Sequence, residues 1–149
     1  MKRNVTAGKT GKAVKVLFVC THNSGRSQMA EAFFNKYAPP HIRAASAGTQ
    51  PAERLNQTVV NAMKERDIDI GSQKPKLLTV EMLDSADVVI TMGCMDGNAC
   101  PAALVPTIDW GLDDPQGQPI RIVRQIRDEI ESLVKQLIEE KLNERLTSF

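Results

Sequence analysis

The chain has 149 residues, of which 42% are hydrophobic and 25% are charged, a composition typical of one globular domain rather than of a disordered or fibrous protein. No apolar run approaches the ~20 residues of a membrane helix, and the amino terminus lacks the apolar segment of a signal peptide. We therefore predict a cytoplasmic protein with no membrane partner. The net charge is +1 and only 4% of residues are aromatic, which argues against a nucleic-acid partner, because such proteins carry basic stripes interleaved with aromatic side chains.

Residues 1–13 contain four basic and no acidic residues. We interpret them as a flexible basic tail and predict one folded domain over 14–149. Within that domain, short apolar runs predict strands over 14–19, 42–46, 88–90 and 107–109. Apolar residues at helical spacing predict helices over 26–38, 56–66, 79–85 and 122–142.

The last of these helices has the clearest pattern, and we expect i,i+4 ion pairs on it between Arg124 and Asp128 and between Glu131 and Lys135. We expect Thr79 to cap the helix before it. Repeated alternation of strands and helices predicts a single-domain, doubly wound α/β fold with a four-stranded parallel sheet flanked by helices. In such folds, ligands bind at the carboxyl ends of the strands.

The first strand ends in Cys20, and the motif C-x5-R-S joins it to a helix that begins at Arg26. A tight loop before a helix amino terminus directs several backbone N–H groups and the positive end of the helix dipole into one concavity. Arg26 adds a planar, permanently charged fork that matches an oxyanion. This field also favours a thiolate, so we predict Cys20 to be a nucleophile at neutral pH. The predicted oxyanion-binding loop consists of Thr21, His22, Asn23, Ser24, Gly25, Arg26 and Ser27.

Within this loop, Asn23 and Gly25 suit positive φ, and either Ser24 or Ser27 can donate a hydrogen bond to the thiolate. Taken alone, Cys20 could be a buried core residue and Arg26 a solvated helix residue. Their spacing around one anion favours a site. His22 is as easily a solvated loop residue, and we assign it no catalytic role.

Two further cysteines, Cys94 and Cys100, follow the third predicted strand, so we expect them on the same sheet edge as Cys20. They could instead be small core residues or a metal pair. The chain has 2 His and no C-x2-C motif, which argues against structural zinc, so we predict no metal site. The sequence DDP at 113–115 would by itself predict a turn.

These motifs together resemble the low-molecular-weight protein tyrosine phosphatase fold and, within it, the arsenate reductases built on that fold. The resemblance covers nearly the whole chain from residue 14. It is carried by VCTHNSGRSQMAEAF, SAGTQPA, TMGCMDGNACP and DWGLDDP. Gln28 after the Arg-Ser pair, and Gln116-Gly117 in place of aromatic residues after the Asp-Pro, resemble the reductases more than the phosphatases.

The resemblance implies roles for these residues in arsenic detoxification. Cys20 attacks arsenate, and Asp114, placed over the loop by Pro115, acts as the general acid. Cys94 then attacks Cys20 and expels arsenite, and Cys100 resolves the disulfide to leave a Cys94–Cys100 pair. The resemblance implies no bound cofactor, only an external thiol reductant.

Departures from the family pattern leave the reductant open between thioredoxin and a glutaredoxin or low-molecular-weight thiol. Gly25 stands where thioredoxin-linked members have a cysteine, and five residues rather than six separate Cys94 from Cys100. Some relatives bind potassium near the loop. Here Lys76 replaces the acidic ligand beside Asn23, Glu31 and Ser46, so we predict no potassium dependence.

Two rival functions remain open from the sequence. One is a tyrosine or small-phosphoester phosphatase, which would need only Cys20, Arg26 and Asp114. The other is a non-enzymatic thiol module that binds arsenite or another soft metal through the three cysteines.

Overall fold

The computed structural model describes residues 13–93 and 107–147. Four strands in these ranges form one parallel sheet in the order β2-β1-β3-β4. Their bounds are β1 (Val14–Cys20), β2 (Ile42–Gly48), β3 (Val88–Thr91) and β4 (Thr107–Asp109). The four predicted strands are thereby confirmed, with β1, β2 and β3 each one or two residues longer than predicted. The predicted tail over 1–13 lies, apart from residue 13, outside the described residues.

The four predicted helices are also present: α1 (Arg26–Tyr37), α2 (Gln57–Lys64), α3 (Val80–Ser85) and α4 (Ile120–Thr147). Thr79 caps α3 as predicted, because its Oγ1 accepts the Met82 amide at 3.1 Å. Helix α4 begins earlier than its apolar pattern predicts, since the Pro119 carbonyl accepts the amides of Ile122 and Val123.

The sheet is covered on both faces, which confirms the doubly wound α/β prediction. Alternate residues of β1 point to opposite sides. Val16 and Phe18 pack into the larger core with α1, α2 and α4, whereas Leu17 and Val19 belong to a smaller cluster with Met82 of α3. The strand β1 is therefore held from both sides, which fixes the position of Cys20 at its end.

The strand register brings the carboxyl ends of all four strands to one edge. Cys20 pairs with Gly48 on β2, and Val19 pairs with Thr91 on β3, which in turn pairs with Asp109 on β4. Gly48 allows close packing at this edge, since a Cβ there would lie 2.5 Å from the Thr21 carbonyl oxygen. The edge predicted for ligand binding is therefore formed by β1, β2, β3 and β4 together.

Of the two ion pairs predicted on the last helix, the prediction for one is wrong. Arg124 does not pair with Asp128; its guanidinium instead binds both carboxylate oxygens of Glu65, just beyond α2, at 2.8–3.1 Å. A bidentate ion pair of this kind is stronger than a single i,i+4 contact. The Glu131–Lys135 pair is present, with Nζ 3.8 Å from Oε2.

Candidate active site

The loop between β1 and α1 turns its carbonyl groups outwards, towards the segment that follows β2. Four amides of that segment donate to it: Thr49 to the carbonyl of Cys20, Gln50 to Thr21, Ala52 to His22 and Asn56 to Ser24, at 2.8–3.2 Å. Each described peptide bond is trans, so the N–H that follows a carbonyl faces the opposite way. The amides that consequently face the inside of the loop are those of Thr21, His22, Asn23 and Gly25. They form a concave nest of donors for an anion.

The sulfur of Cys20 lies in this nest. Its residue is only 3% exposed, and Sγ accepts the Asn23 amide at 3.2 Å. The hydroxyl of Ser27 lies 2.8 Å from Sγ. Because Ser27 Oγ already accepts a hydrogen bond from Asn23 Nδ2 at 2.7 Å, its single proton is available to the sulfur. Of the two serines predicted to serve the thiolate, the structure places Ser27 at the sulfur.

Asn23 holds the loop in shape from its centre. Its φ of 51° confirms the prediction of positive φ at this residue. Its Oδ1 accepts the Lys76 amide at 2.8 Å and Gln28 Nε2 at 3.1 Å, which fixes the orientation of the side-chain amide. Nδ2 therefore faces the hydroxyls of Ser27 and Ser46, at 2.7 and 3.0 Å.

The prediction of positive φ at Gly25 is wrong, because its φ is −143°. Glycine is required there for space. A Cβ at this position would lie 2.9 Å from Pro115 Cγ and 3.5 Å from Val59 Cγ2. The absence of a side chain lets the loop that carries Asp114 pack directly onto the anion loop.

Arg26 lies at the start of α1 and is 7% exposed. Its Nη1 donates to the carbonyls of Met92 and Leu112, at 2.6 and 2.9 Å. Nη2 lies 3.9 Å from Asp114 Oδ2. The carboxylate of Asp114 is half-exposed, and its Oδ1 accepts the Gln116 amide at 3.0 Å. Cys20, Arg26 and Asp114, separated by up to 94 positions in the chain, therefore belong to one site, with Nη1 committed to carbonyls and Nη2 left towards an oxyanion.

Asp109 is a residue of this site that the sequence reasoning missed. Its Oδ1 accepts three hydrogen bonds, from the Gly93 amide at 2.8 Å, the Thr91 hydroxyl at 3.0 Å and the Gly111 amide at 3.4 Å. Burial opposes ionisation, but these bonds and the nearby Arg26 charge outweigh it and hold the pKa of the Asp109 carboxyl below its usual value. The sequence offered one signal for it, the DW pair that opens the motif at 109–115.

The side chain of Lys76 lies next to Glu31, one of the residues with which the sequence analysis groups it. Its Nζ lies 3.7 Å from Glu31 Oε1, and the same oxygen accepts the Ser46 hydroxyl at 2.6 Å. Ser46 Oγ in turn accepts Asn23 Nδ2. An ammonium group therefore compensates the Glu31 charge at the end of a hydrogen-bond chain that leads to Cys20.

A cavity of about 320 Å³ adjoins the anion loop. His22, Ser24, Arg54 and Gln116 are among its lining residues, and no Phe, Trp or Tyr of the described ranges lines it. Trp110, the only tryptophan, instead packs on Phe18 with ring centroids 5.6 Å apart. It thereby anchors the end of strand β4 to the core.

Cys94 and Cys100 lie outside the described residues, so Cys20 is the one predicted cysteine whose surroundings the structure gives. Over residues 13–93 and 107–147, no three His, Cys, Asp or Glu side chains are grouped so that they could hold a metal ion. None of the helices in those ranges is both long and apolar enough to cross a membrane.

Comparison with known proteins identifies the family. Residues 15–148 match the family described as low molecular weight phosphotyrosine protein phosphatase. Arsenate reductase 1 of Bacillus cereus is 40% identical over 126 residues, which are 83% of this chain and 93% of that one. The chain therefore belongs to the low molecular weight phosphotyrosine protein phosphatase family, as its motifs predicted.

Solved structures of similar fold include both reductases and phosphatases. The thioredoxin-dependent arsenate reductase Cg_ArsC1' of Corynebacterium glutamicum superposes with a TM-score of 0.74 at 33% identity, covering 97% of this chain and 68% of that one. The YwlE arginine phosphatase of Geobacillus stearothermophilus superposes with a TM-score of 0.81 at 30% identity, covering 91% and 97%. The fold is thus common to two chemistries, and the choice between them depends on the site.

Proposed function

We propose that this chain is an arsenate reductase in which Cys20 is the nucleophile. The observation that carries the proposal is the position of Cys20 Sγ within a nest of backbone amides, with Arg26 and Asp114 beside the same loop and 3.9 Å from each other. Such a nest binds a tetrahedral oxyanion. The 40% identity to an arsenate reductase supports arsenate as that oxyanion.

In the first step, the Cys20 thiolate attacks arsenic and forms an S–As bond. One As–O bond breaks, and Asp114 donates a proton so that the oxygen leaves as water. The half-exposed position of the Asp114 carboxylate next to Arg26 suits a group that must exchange protons with solvent. Backbone amides and Nη2 of Arg26 stabilise the charge on the remaining oxygens.

In the second step, the Cys94 thiolate attacks Cys20 Sγ. The S–As bond breaks, its electron pair remains on arsenic, and As(V) leaves as arsenite, As(III). Cys100 then attacks Cys94, which releases the Cys20 thiolate and leaves a Cys94–Cys100 disulfide. These two roles rest on the sequence resemblance.

The cycle consumes two electrons that this chain does not supply. We propose that a thioredoxin, or a glutaredoxin acting with a low-molecular-weight thiol, reduces the final disulfide, and that no bound cofactor takes part. The thioredoxin-dependent relative supports the first of these partners. A cycle of free thiols requires a reducing compartment, for which we propose the cytoplasm.

The second candidate function is a phosphatase, favoured by the likeness to the YwlE arginine phosphatase. Cys20, Arg26 and Asp114 would form and hydrolyse a phospho-cysteine with water alone. No Phe, Trp or Tyr among the residues that the structure describes lines the cavity beside the loop, which argues against a phosphotyrosine substrate, because a phenol ring is held best by large apolar and aromatic side chains.

Arsenate turnover with each reductant as the only electron source tests the proposal. We expect NADPH-coupled reduction with either thioredoxin and its reductase or glutathione and glutaredoxin. We also expect the Cys20→Ser and Cys94→Ser variants to lose it. If instead arsenate is not reduced with either system, while an aryl phosphate or phosphoarginine is hydrolysed and Cys94→Ser preserves that hydrolysis, the chain is a phosphatase. Arsenite binding without turnover would indicate the thiol module.

A further inference from the structure

We propose that Asp109 is a positioning residue for Arg26 and that it acts through the peptide group joining Met92 to Gly93. The N–H of this peptide donates to Asp109 Oδ1 at 2.8 Å. The C=O of the same peptide accepts Arg26 Nη1 at 2.6 Å. One peptide unit therefore stands between a carboxylate and a guanidinium, with its positive end towards the anion and its negative end towards the cation.

This arrangement strengthens the hydrogen bond from Arg26 Nη1 to the Met92 carbonyl. Hydrogen bonds with a charged partner are stronger than those between neutral groups, and bonds in series polarise one another. The hydrogen bond to Asp109 polarises the N–H bond of the peptide and thereby makes the Met92 carbonyl a better acceptor. The guanidinium of Arg26 is buried, whereas Asp109 is exposed, and the lowered pKa of the Asp109 carboxyl is consistent with a carboxylate that is charged at neutral pH.

The residue between the two charges must be glycine. Gly93 has φ of +84°, and a Cβ there would lie 2.6 Å from the Leu112 carbonyl oxygen and 3.1 Å from Arg26 Nη1. Any side chain would displace either the guanidinium or the Leu112 carbonyl that also holds it. Glycine at position 93 thus has a physical reason in this chain.

By holding Arg26 in place, Asp109 should raise the affinity of the loop for an oxyanion. With Nη1 held between the carbonyls of Met92 and Leu112, the guanidinium cannot rotate, and Nη2 keeps its place next to Asp114. The inference rests on the oxyanion-binding part of the proposed function. It does not depend on arsenate being reduced.

Inorganic phosphate is a suitable test ligand, because its binding at the loop should shield Cys20 from iodoacetamide. The measurement is the phosphate concentration that halves the rate of Cys20 alkylation, followed by peptide mass spectrometry in the full-length chain. For Asp109→Ala we expect that concentration to rise roughly tenfold, because a charge-assisted contact is lost. Asp109→Asn keeps a neutral acceptor, so we expect a smaller rise.

Asp87 provides a matched control. Asp87 lies just before β3, at the opposite end of the sheet from Cys20. Its Oδ2 accepts the Lys15 amide at 2.8 Å. Asp87→Ala removes the same kind of contact and should change thermal stability but not phosphate protection. The proposal is overturned if Asp109→Ala and Asp109→Asn protect like the wild type, or if Asp87→Ala weakens protection by the same factor.

If Asp109→Ala fails to fold, Asp109→Asn alone decides between these outcomes. Failure of the arsenate assay with intact phosphate protection would remove the proposed function and leave the role of Asp109 standing. If the wild type reduces arsenate but phosphate protects Cys20 equally in the wild type, Asp109→Ala and Asp109→Asn, the role of Asp109 fails and the proposed function stands.

Discussion

Two polar regions of the molecule differ in how their hydrogen bonds are arranged. Around Cys20 the bonds are buried, mostly between neutral groups, and converge through Asn23 and Ser27 on one sulfur. Between α2 and α4 the bonds join oppositely charged groups, chiefly the partly exposed Glu65 with the exposed Arg124 and the buried Arg127. Convergence on a single atom prepares that atom for chemistry, whereas paired charges satisfy each other.

The pKa values of the second region show that a perturbed pKa does not by itself mark a reactive group. Hydrogen bonds from Arg124 and then Arg127 lower the pKa of the Glu65 carboxyl from its usual 4.5 to about 2. That carboxyl lies on the solvent side of the helix pair and faces no cavity of the site. The comparison teaches that an unsatisfied donor nest, rather than a strong ion pair, indicates where a substrate binds.

The largest effect that would separate the two regions is expected at Asp114. We expect Asp114→Asn to lower kcat for arsenate about a hundredfold, as for the loss of a general acid, with a smaller change in KM. The neighbouring Asp113→Asn is the control, because Asp113 belongs to the same predicted DDP turn but is not the aspartate directly before Pro115. Steady-state kinetics of both variants test this, and equal losses would contradict the assignment of the acid.

The next effect concerns the hydroxyl at the sulfur. Ser27→Ala removes the 2.8 Å contact with Cys20 Sγ, and we expect kcat/KM to fall roughly tenfold because the thiolate loses one hydrogen bond. Ser24→Ala changes a serine of the same loop that lines only the cavity. Similar rates for the two variants would show that convergence on the sulfur has no catalytic weight.

A smaller effect is expected from potassium. Because Lys76 Nζ already lies 3.7 Å from Glu31, exchanging sodium for potassium should alter neither turnover nor the melting temperature of the wild type. Lys76→Met should introduce a response, since the Glu31 charge would then lack its ammonium. A rise in activity or melting temperature of the wild type with potassium would contradict this account.

The smallest effect on activity is expected in the second region. Glu65→Gln should leave turnover unchanged. The pKa of Glu65 is lower in the folded chain, so its ionisation stabilises the fold above about pH 4.5, and this contribution is lost as the pH falls towards about 2. Urea unfolding should therefore separate wild type and Glu65→Gln at neutral pH and bring them together in acid.

Glu139→Gln, which removes a charge from α4 that has no ion pair in the described ranges, is the control for this titration. It should not reproduce the effect of Glu65→Gln on urea unfolding at neutral pH. A constant gap between wild type and Glu65→Gln down to pH 2 would show that the Glu65 pairs do not stabilise the fold.

Local patterns allowed much of this structure to be predicted. The β1 strand, the C-x5-R-S loop and the amphipathic α1 are contiguous, so the sequence alone assigns Cys20 and Arg26 to one anion site. Asp109 could not, because its contacts reach Gly93 and, through one peptide, Arg26. Long-range backbone contacts leave no periodic signal in a sequence.

The two wrong predictions have the same origin. Gly25 was expected to serve backbone conformation, but it makes room for Pro115, 90 positions further along the chain. Arg124 was expected to pair within its helix, but it binds Glu65 across two elements. In both cases contacts between distant parts of the chain, which the local sequence does not reveal, determined the role of the residue.

The most direct test of the account is the rate at which iodoacetamide alkylates Cys20 as the pH is varied, in a Cys94→Ser, Cys100→Ser chain where it is the only thiol. If the amide nest, Ser27 and the start of α1 hold a thiolate, the reaction should be fast at about pH 6 and nearly independent of pH up to about 8. A rate that stays low at neutral pH and rises only beyond about pH 9, like that of an ordinary buried thiol, would contradict the central claim.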